Sequence, residues 1–175
     1  MHSEATVALN CLPAARQAEL LERCCGSGRW VQSMVQRIPF ADWQALRSEA
    51  DEIWLGLDQD DWLEAFAHHP RIGDIDSLRA RFATTKSWSE GEQSGVDSAS
   101  EEVLAGLAMG NRHYEERFGY IFIVCATGKS AAAMLKLLQE RLDNSPEEEL
   151  LVAAEQQRQI MQLRLDKLRD ELSPS

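Results

Sequence analysis

The sequence lacks the features that mark membrane and secreted proteins. No apolar run in the 175-residue chain approaches the roughly 18 residues that a membrane-spanning helix needs. The amino-terminal stretch MHSEATVALN has no basic start followed by an apolar core, and the carboxyl-terminal ELSPS is not a peroxisomal address. We therefore expect a cytoplasmic protein without a membrane partner.

Positive charge is also scarce. The chain has 18 lysine and arginine residues against 29 acidic residues, which gives a formal net charge of -11. Such a protein is repelled on average by the phosphate backbone of nucleic acids. The composition therefore predicts no nucleic-acid partner.

Cysteine is sparse and irregularly spaced. The four cysteines are Cys11, Cys24, Cys25 and Cys125, and no C-x-x-C motif is present. This pattern fits neither a secreted disulfide framework nor a zinc knuckle. We expect small, buried or half-buried thiols.

What the sequence does contain is helical periodicity over most of its length. A hydrophobic fraction of 44% in 175 residues suits one domain with its own core. Behind Asp42, apolar side chains recur every three or four residues, and similar patterns follow along the chain. Strand-like sequence is confined to YIFIVCA, and one strand cannot form a sheet. We predict an all-α fold, a single compact multi-helix domain over residues 1–175 with a short extended apolar segment near 120–126.

Several side chains predict where helices begin and end. In NSPEEEL, Ser145 can cap a helix, Pro146 suits its first turn and Glu148 completes a capping box. This last helix can run to about Leu172. Gly119 is placed to end the helix before the apolar segment. We expect most of the five tryptophans to lie in the core.

The apolar segment leads into Gly128, Lys129 and Ser130, which look like the end of a phosphate-binding loop. A P-loop needs G-x-x-x-x-G-K-[ST], and the position of its first glycine holds Ile123. The motif fails on spacing, so we interpret these residues as the start of the next helix. Without a sheet, the backbone of the segment needs another hydrogen-bonding partner, which a flat, amide-rich substrate could supply.

Two histidines are the clearest candidates for chemistry. His69 precedes Pro70, a pair that ends the preceding helix. A helix carboxyl terminus favours the cationic form of a histidine, which indicates an acid with a proton to give. The alternative is a histidine that merely caps the helix through its ring. A metal site formed by His68, His69, Asp74 and Asp76 is also open, although their spacing is irregular.

Further polar candidates lie in a serine-rich loop and on the last helix. Ser89, Glu92 and Gln93 form the pattern S-x-x-E-Q. These residues fit a capping box, or a carboxylate and a carboxamide that suit a substrate rich in N–H and C=O groups. Arg164 lies at the edge of the apolar stripe of the last helix. It can extend to solvent, pair with a glutamate or turn inward to hold a planar anion.

The motifs HHPRIG, WSEGEQSGV, NRHYEERFGYIFIVCATGKS and QIMQLRLDKL occur in this order over roughly residues 69–168. Together they closely resemble the 2-oxo-4-hydroxy-4-carboxy-5-ureidoimidazoline (OHCU) decarboxylase family. The resemblance implies an all-helical, typically homodimeric enzyme without a cofactor, which converts this ureidoimidazoline to S-allantoin in the last step of urate degradation. It implies catalytic roles for His69, as proton donor, and for Glu92. It implies these substrate-binding positions: Pro70, Ser89, Gln93, Phe122, Ile123, Val124, Cys125, Ala126 and Arg164.

The chemistry implied by this resemblance needs neither a cofactor nor a metal. The leaving carboxylate lies beta to a ring C=N bond, so the electrons released with carbon dioxide have an internal sink. The protein has to position the substrate, stabilise developing charge and deliver one proton to one face.

Two other functions remain open. One is a metal-dependent hydrolase that uses the two histidines and two aspartates named above. The other is a non-enzymatic module whose last helix docks a partner. Its docking face would comprise Leu151, Ala154, Met161, Leu165 and Leu168.

Overall fold

A computed structural model of the protein describes residues 2–70, 76, 78 and 97–174. These residues form eight helices and no strand, which confirms the predicted all-α fold. Residues 121–126 belong to neither a helix nor a strand, in agreement with a separate apolar segment. The helices are α1 (His2–Cys11), α2 (Ala14–Glu22), α3 (Gly28–Gln36), α4 (Trp43–Leu55), α5 (Gln59–Ala67), α6 (Asp97–Phe118), α7 (Ala131–Leu142) and α8 (Pro146–Leu172).

Side-chain caps account for the starts of several helices. The Asp42 carboxylate accepts a 2.7 Å hydrogen bond from the Ala45 amide and caps α4. At α8, Ser145 Oγ accepts from the Glu148 amide at 3.2 Å, and Glu148 Oε2 accepts from the Ser145 amide at 3.1 Å. This is the predicted capping box. The predicted end of this helix at about Leu172 is also confirmed.

The end of α6 depends on a glycine. Gly119 has a φ of 84°, which residues with a side chain rarely adopt. Its amide donates a 2.8 Å hydrogen bond to the Glu115 carbonyl. The helix therefore stops at Phe118, as predicted, and the chain enters the apolar segment.

The described residues divide into two compact units. The first comprises Met1–His69 and Ala154–Ser175, and the second comprises Pro70–Ala153. A single domain over residues 1–175 stays a prediction. No helix in the described part of the chain has the length and apolar character needed to cross a bilayer.

Side chains from α1–α5 and from most of α8 form the core of the first unit. Trp30, Trp43 and Trp54 are buried, which confirms the core prediction for these tryptophans. The indole Nε1 of Trp54 donates to the Ala154 carbonyl at 3.0 Å, so a hydrogen bond joins α4 and α8. This contact lies about one turn before Gln157 on α8.

The core of the second unit forms where α6 packs on α7. Its buried members include Leu104, Leu107, Tyr114 and Leu138, and the side chains of residues 120, 122, 124 and 126 pack against them. Gly110 permits the close approach of the two helices, because a Cβ at this position would lie 2.5 Å from Leu138 Cδ2. The apolar segment is therefore held on the core of this unit.

Candidate active site

His69 follows α5 in a position that its neighbour Pro70 helps to define. The helix ends at Ala67, with His68 as its carboxyl-terminal cap, and the His69 amide donates to the Phe66 carbonyl at 3.2 Å. The predicted helix end before Pro70 is therefore correct. His68 is exposed, whereas the His69 side chain is half-buried.

The His69 ring lies between two polar side chains of α8. Its Nε2 forms a short hydrogen bond with Oε1 of Gln157, and its Nδ1 lies 3.5 Å from Nη2 of Arg164. Gln157 and Arg164 are two helical turns apart on one face, about 10 Å along the axis. All three residues belong to the first unit.

These contacts select one protonation state of the ring. Arginine can only donate, so Nδ1 of His69 accepts from Arg164 and carries no proton. The proton of the neutral ring then lies on Nε2, which donates to Gln157 Oε1. The arrangement defines a neutral imidazole with Nδ1 as its basic atom.

The surroundings of His69 also favour its neutral ring, which corrects an expectation drawn from the sequence. The position at a helix carboxyl terminus predicts a stabilised cation. In the structure, burial chiefly, together with the charges of Arg164 and His68, lowers the pKa of His69 below its ordinary 6.5, although the hydrogen bond with Gln157 opposes this shift. Burial and the neighbouring cation therefore outweigh the helix dipole.

Arg164 adopts the inward orientation among the three that its sequence position leaves open. The residue is half-buried and its Nη2 points to His69. It also borders a surface groove beside Arg23 and Lys167. A guanidinium in this position can hold a planar anion close to the imidazole.

The structure describes only one of the next four predicted site residues. Pro70 is exposed and belongs to the second unit. Ser89, Glu92 and Gln93 lie outside the described residues. Their roles stay predictions.

The apolar segment, with the predicted substrate-binding positions Phe122, Ile123, Val124, Cys125 and Ala126, lies in the second unit. Two of its carbonyl groups already have side-chain donors. Ile123 O accepts a 2.6 Å hydrogen bond from Arg141 Nη1, and Cys125 O accepts a 2.7 Å hydrogen bond from Lys129 Nζ. The expectation that the backbone of this segment needs a substrate as partner is therefore wrong for these two groups.

Arg141 belongs to a buried network that the sequence interpretation missed. Its guanidinium donates to both Glu149 oxygens at 2.7–3.0 Å, and Tyr114 Oη donates to Glu149 Oε2 at 2.5 Å. The guanidinium also lies 4.6 Å from the Phe122 ring centroid. Burial and the bond to Glu149 raise the pKa of Tyr114, so its hydroxyl remains a donor. The network fixes the main chain and one side chain of the apolar segment.

The adjacent cysteines Cys24 and Cys25 are poor candidates for a nucleophile. Cys24, Cys25 and Cys125 are buried, as expected, whereas Cys11 is exposed, so the expectation is wrong for that thiol. Burial raises the pKa of Cys24 and that of Cys25 to about 12, so both remain protonated thiols at neutral pH.

The structure also bears on the two alternative functions. On α8, Ala154, Met161, Leu165 and Leu168 are buried in the first unit's own core, so a docking face built on them is wrong; only Leu151 of that set is exposed. Within residues 2–70, 76, 78 and 97–174, no three His, Cys, Asp or Glu side chains are grouped as metal ligands. Asp74 of the metal hypothesis lies outside that part.

An all-helical chain in which a half-buried neutral histidine is held by an arginine and a glutamine defines a candidate acid–base enzyme. The sequence model of the OHCU decarboxylase family matches residues 10–166. The chain belongs to the OHCU decarboxylase family.

Individual relatives agree with this assignment. The chain is 39% identical over 148 residues to the "Uric acid degradation bifunctional protein TTL" of Arabidopsis thaliana, covering 83% of this chain and 45% of that protein. It is 35% identical over 97 residues to the "2-oxo-4-hydroxy-4-carboxy-5-ureidoimidazoline decarboxylase" of Amia calva, covering 55% of each. The chain thus spans about half the length of these curated relatives.

Solved structures give the same fold. A crystal structure described as OHCU decarboxylase in the presence of (S)-allantoin superimposes with a TM-score of 0.68 and 35% identity, covering 85% of this chain and 96% of that one. A crystal structure of an (S)-allantoin synthase gives a TM-score of 0.69 at 21% identity, covering 93% of this chain and 53% of that one. The second similarity supports the fold alone.

Proposed function

We propose that this chain decarboxylates OHCU to S-allantoin without a cofactor, as the last step of urate degradation. The observation that carries the proposal is the contact between His69 and Arg164. These residues are 95 positions apart in sequence, and the family resemblance assigns both to the site. Their side chains lie together, in a protonation state suited to proton transfer.

The proposed reaction breaks the bond between the ring carbon and its carboxylate. The electron pair of that bond moves into the ring C=N group as carbon dioxide leaves, and a proton is then added to one face of the resulting enol-like intermediate. His69 and Glu92 act on the hydroxyl next to the breaking bond. The neutral His69 ring can accept the hydroxyl proton at Nδ1 and then deliver it to the enol-like intermediate.

Arg164 couples substrate binding to this proton transfer. A substrate anion that pairs with the guanidinium would withdraw it from Nδ1 of His69 and leave that nitrogen free to act as a base. The same pairing would offset the positive charge that lowers the pKa of His69. Pro70, Ser89, Gln93 and the main chain of residues 122–126 are proposed to hold the ring and the ureido tail, so that one stereoisomer results.

Circular dichroism tests this function directly. Urate is treated with urate oxidase and hydroxyisourate hydrolase, and the appearance of the S-allantoin signal is followed with and without the protein. We expect the protein to accelerate it strongly. A rate equal to spontaneous decay, from a folded sample, would overturn the proposal. An unchanged rate after chelation would separately argue against a metal-dependent hydrolase.

The proposal includes a homodimer in the cytoplasm, acting as one domain over residues 1–175. The family match supports this extent, because residues 10–166 include parts of both compact units. Light scattering coupled to size-exclusion chromatography measures the oligomeric state, and a mass equal to one 19.7 kDa chain would contradict the dimer.

A further inference from the structure

Gln157 is fully buried, and only one of its two side-chain polar atoms is hydrogen-bonded to a described residue. Its Oε1 accepts from His69, while its Nε2 has no partner among the residues that the structure describes. A buried N–H group without a partner is costly, and such groups are rare in folded proteins. The unpaired donor therefore calls for an explanation.

The amide cannot simply rotate to relieve this cost. If Nε2 of Gln157 pointed to the ring, Nε2 of His69 would have to accept. Nδ1 already accepts from Arg164, so the ring would then carry no proton on either nitrogen. A neutral imidazole has one N–H group, so the presence of Arg164 requires Oε1 of Gln157 to face His69. The donor Nε2 consequently makes no hydrogen bond with the ring and stays available to another acceptor.

The placement of this donor matches the needs of a small polar ligand. Gln157 and Arg164 lie on the same face of α8 with the His69 ring between them. A molecule that reaches His69 would therefore meet a carboxamide N–H on one side and a guanidinium on the other. Oxygen acceptors such as a ring carbonyl, a ureido carbonyl or a carboxylate complement an amide donor.

We propose that Gln157 is a substrate-contacting residue, whose Nε2 donates a hydrogen bond to an oxygen of the ureidoimidazoline while its Oε1 holds the His69 ring. This inference rests on the proposed decarboxylase function. It assigns a donor that the family motifs in the sequence did not indicate, and it explains a polar side chain in the buried stripe of α8. The bound substrate completes the hydrogen bonding of Gln157.

The variants Gln157→Glu and Gln157→Met separate the two functions of the side chain. Glutamate keeps an acceptor for His69 Nε2 and loses the donor, whereas methionine loses both. Gln159→Met is the matched control, because Gln159 is on the same helix and its amide bonds to the exposed Glu155. We expect kcat/KM to fall about 10- to 100-fold in both Gln157 variants. The control should retain wild-type values.

Two spectroscopic readouts, supported by a pH profile, distinguish substrate contact from a structural effect. Long-range 1H–15N spectra of histidine-labelled protein should show His69 protonated at Nε2 in both the wild type and Gln157→Glu. The pH profile of kcat/KM identifies the plateau at which the variants are compared, because a carboxylate at position 157 favours the charged form of His69. In the wild type, adding (S)-allantoin should shift the side-chain NH2 signals of Gln157.

The outcomes are decisive in either direction. A wild-type protein without decarboxylase activity would overturn the proposed function and this inference with it. An active wild type, together with Gln157 variants within about threefold of Gln159→Met, would overturn only the inference. If Gln157→Met does not fold, the test rests on kcat/KM of Gln157→Glu and on the NH2 signals of Gln157 in the wild type. A wild-type kcat/KM in Gln157→Glu together with unshifted NH2 signals would contradict the contact.

Discussion

Arg141 Nη1 donates a 2.6 Å hydrogen bond to the carbonyl of Ile123, and the same guanidinium is paired with the fully buried Glu149. One arginine of α7 thereby connects the apolar segment to the start of α8. This explains how a stretch without sheet partners keeps a defined path. The segment predicted to line the substrate is supported from within its own unit.

Replacing Arg141 by methionine should destabilise the protein strongly. Glu149 would be left buried without its cation, a situation that costs about 3–5 kcal/mol in the free energy of unfolding. Urea denaturation measures this change. Arg16→Met is the control, since its pair with Glu19 is exposed and should contribute about 1 kcal/mol or less. Equal losses in the two variants would contradict a structural role for the buried pair.

Replacing His69 by asparagine should abolish most catalysis while preserving the fold. Loss of a general acid–base group typically lowers the rate about 10²–10⁴-fold. The coupled circular dichroism assay measures the rate, and the far-ultraviolet spectrum reports helical content. His68→Asn is a closely matched control, because the neighbouring ring is exposed and makes neither contact with α8 described for His69. If His69→Asn turned over as fast as His68→Asn, the catalytic assignment of His69 would be wrong.

Much of the fold follows from local sequence. The capping box of Ser145 and Glu148 and the positive φ of Gly119 depend on residues within four positions of each other, so spacing alone identifies them. The approach of Arg164 to His69 depends on tertiary packing. In the sequence analysis, only the resemblance to a family assigned these two residues to the same site.

Two buried polar residues escaped prediction, although the sequence contains a signal for each. Gln157 occupies the stripe defined by Ala154 and Met161, and Arg141 follows the buried Leu138 by three residues. A polar side chain on an apolar face either reaches solvent or has a buried partner. Periodicity cannot separate these cases, because the partners Ile123 O and His69 come from distant parts of the chain.

Replacing Gly110 by alanine should loosen the contact between α6 and α7. A Cβ would lie 2.5 Å from Cδ2 and 3.2 Å from Cγ of the fully buried Leu138. Overpacking of this kind costs about 1–3 kcal/mol, which exceeds the gain of about 0.5–1 kcal/mol from removing a helical glycine. Thermal or urea unfolding should therefore show a net loss.

Gly56→Ala provides the reference for Gly110→Ala. Gly56 has an ordinary φ of -87°, and its added Cβ would meet nothing closer than 3.4 Å. We expect little change in its free energy of unfolding. A stability of Gly110→Ala at or above that of Gly56→Ala would show that Leu138 can move aside.

The low pKa of His69 determines how activity and stability depend on pH. Burial, followed by the charge of Arg164 and that of His68, keeps the folded-state pKa below 6.5. The neutral ring therefore persists as pH falls to 6.5, and kcat/KM should decline only at lower pH if the neutral form is required. Replacing Arg164 by methionine removes a cation, so the pKa of His69 should rise in that variant.

As the pH falls, the free energy of unfolding should decrease, as kcat/KM does. Below pH 6.5 the unfolded chain binds a proton at His69 more readily than the folded chain, so this residue's contribution to stability falls as pH decreases through that range. Histidine 1H–15N spectra recorded across the titration give the pKa directly, with His69→Asn identifying the signal. A wild-type pKa above 6.5 would show that burial does not control the protonation of this ring. An unchanged pKa in Arg164→Met would show that the guanidinium does not contribute.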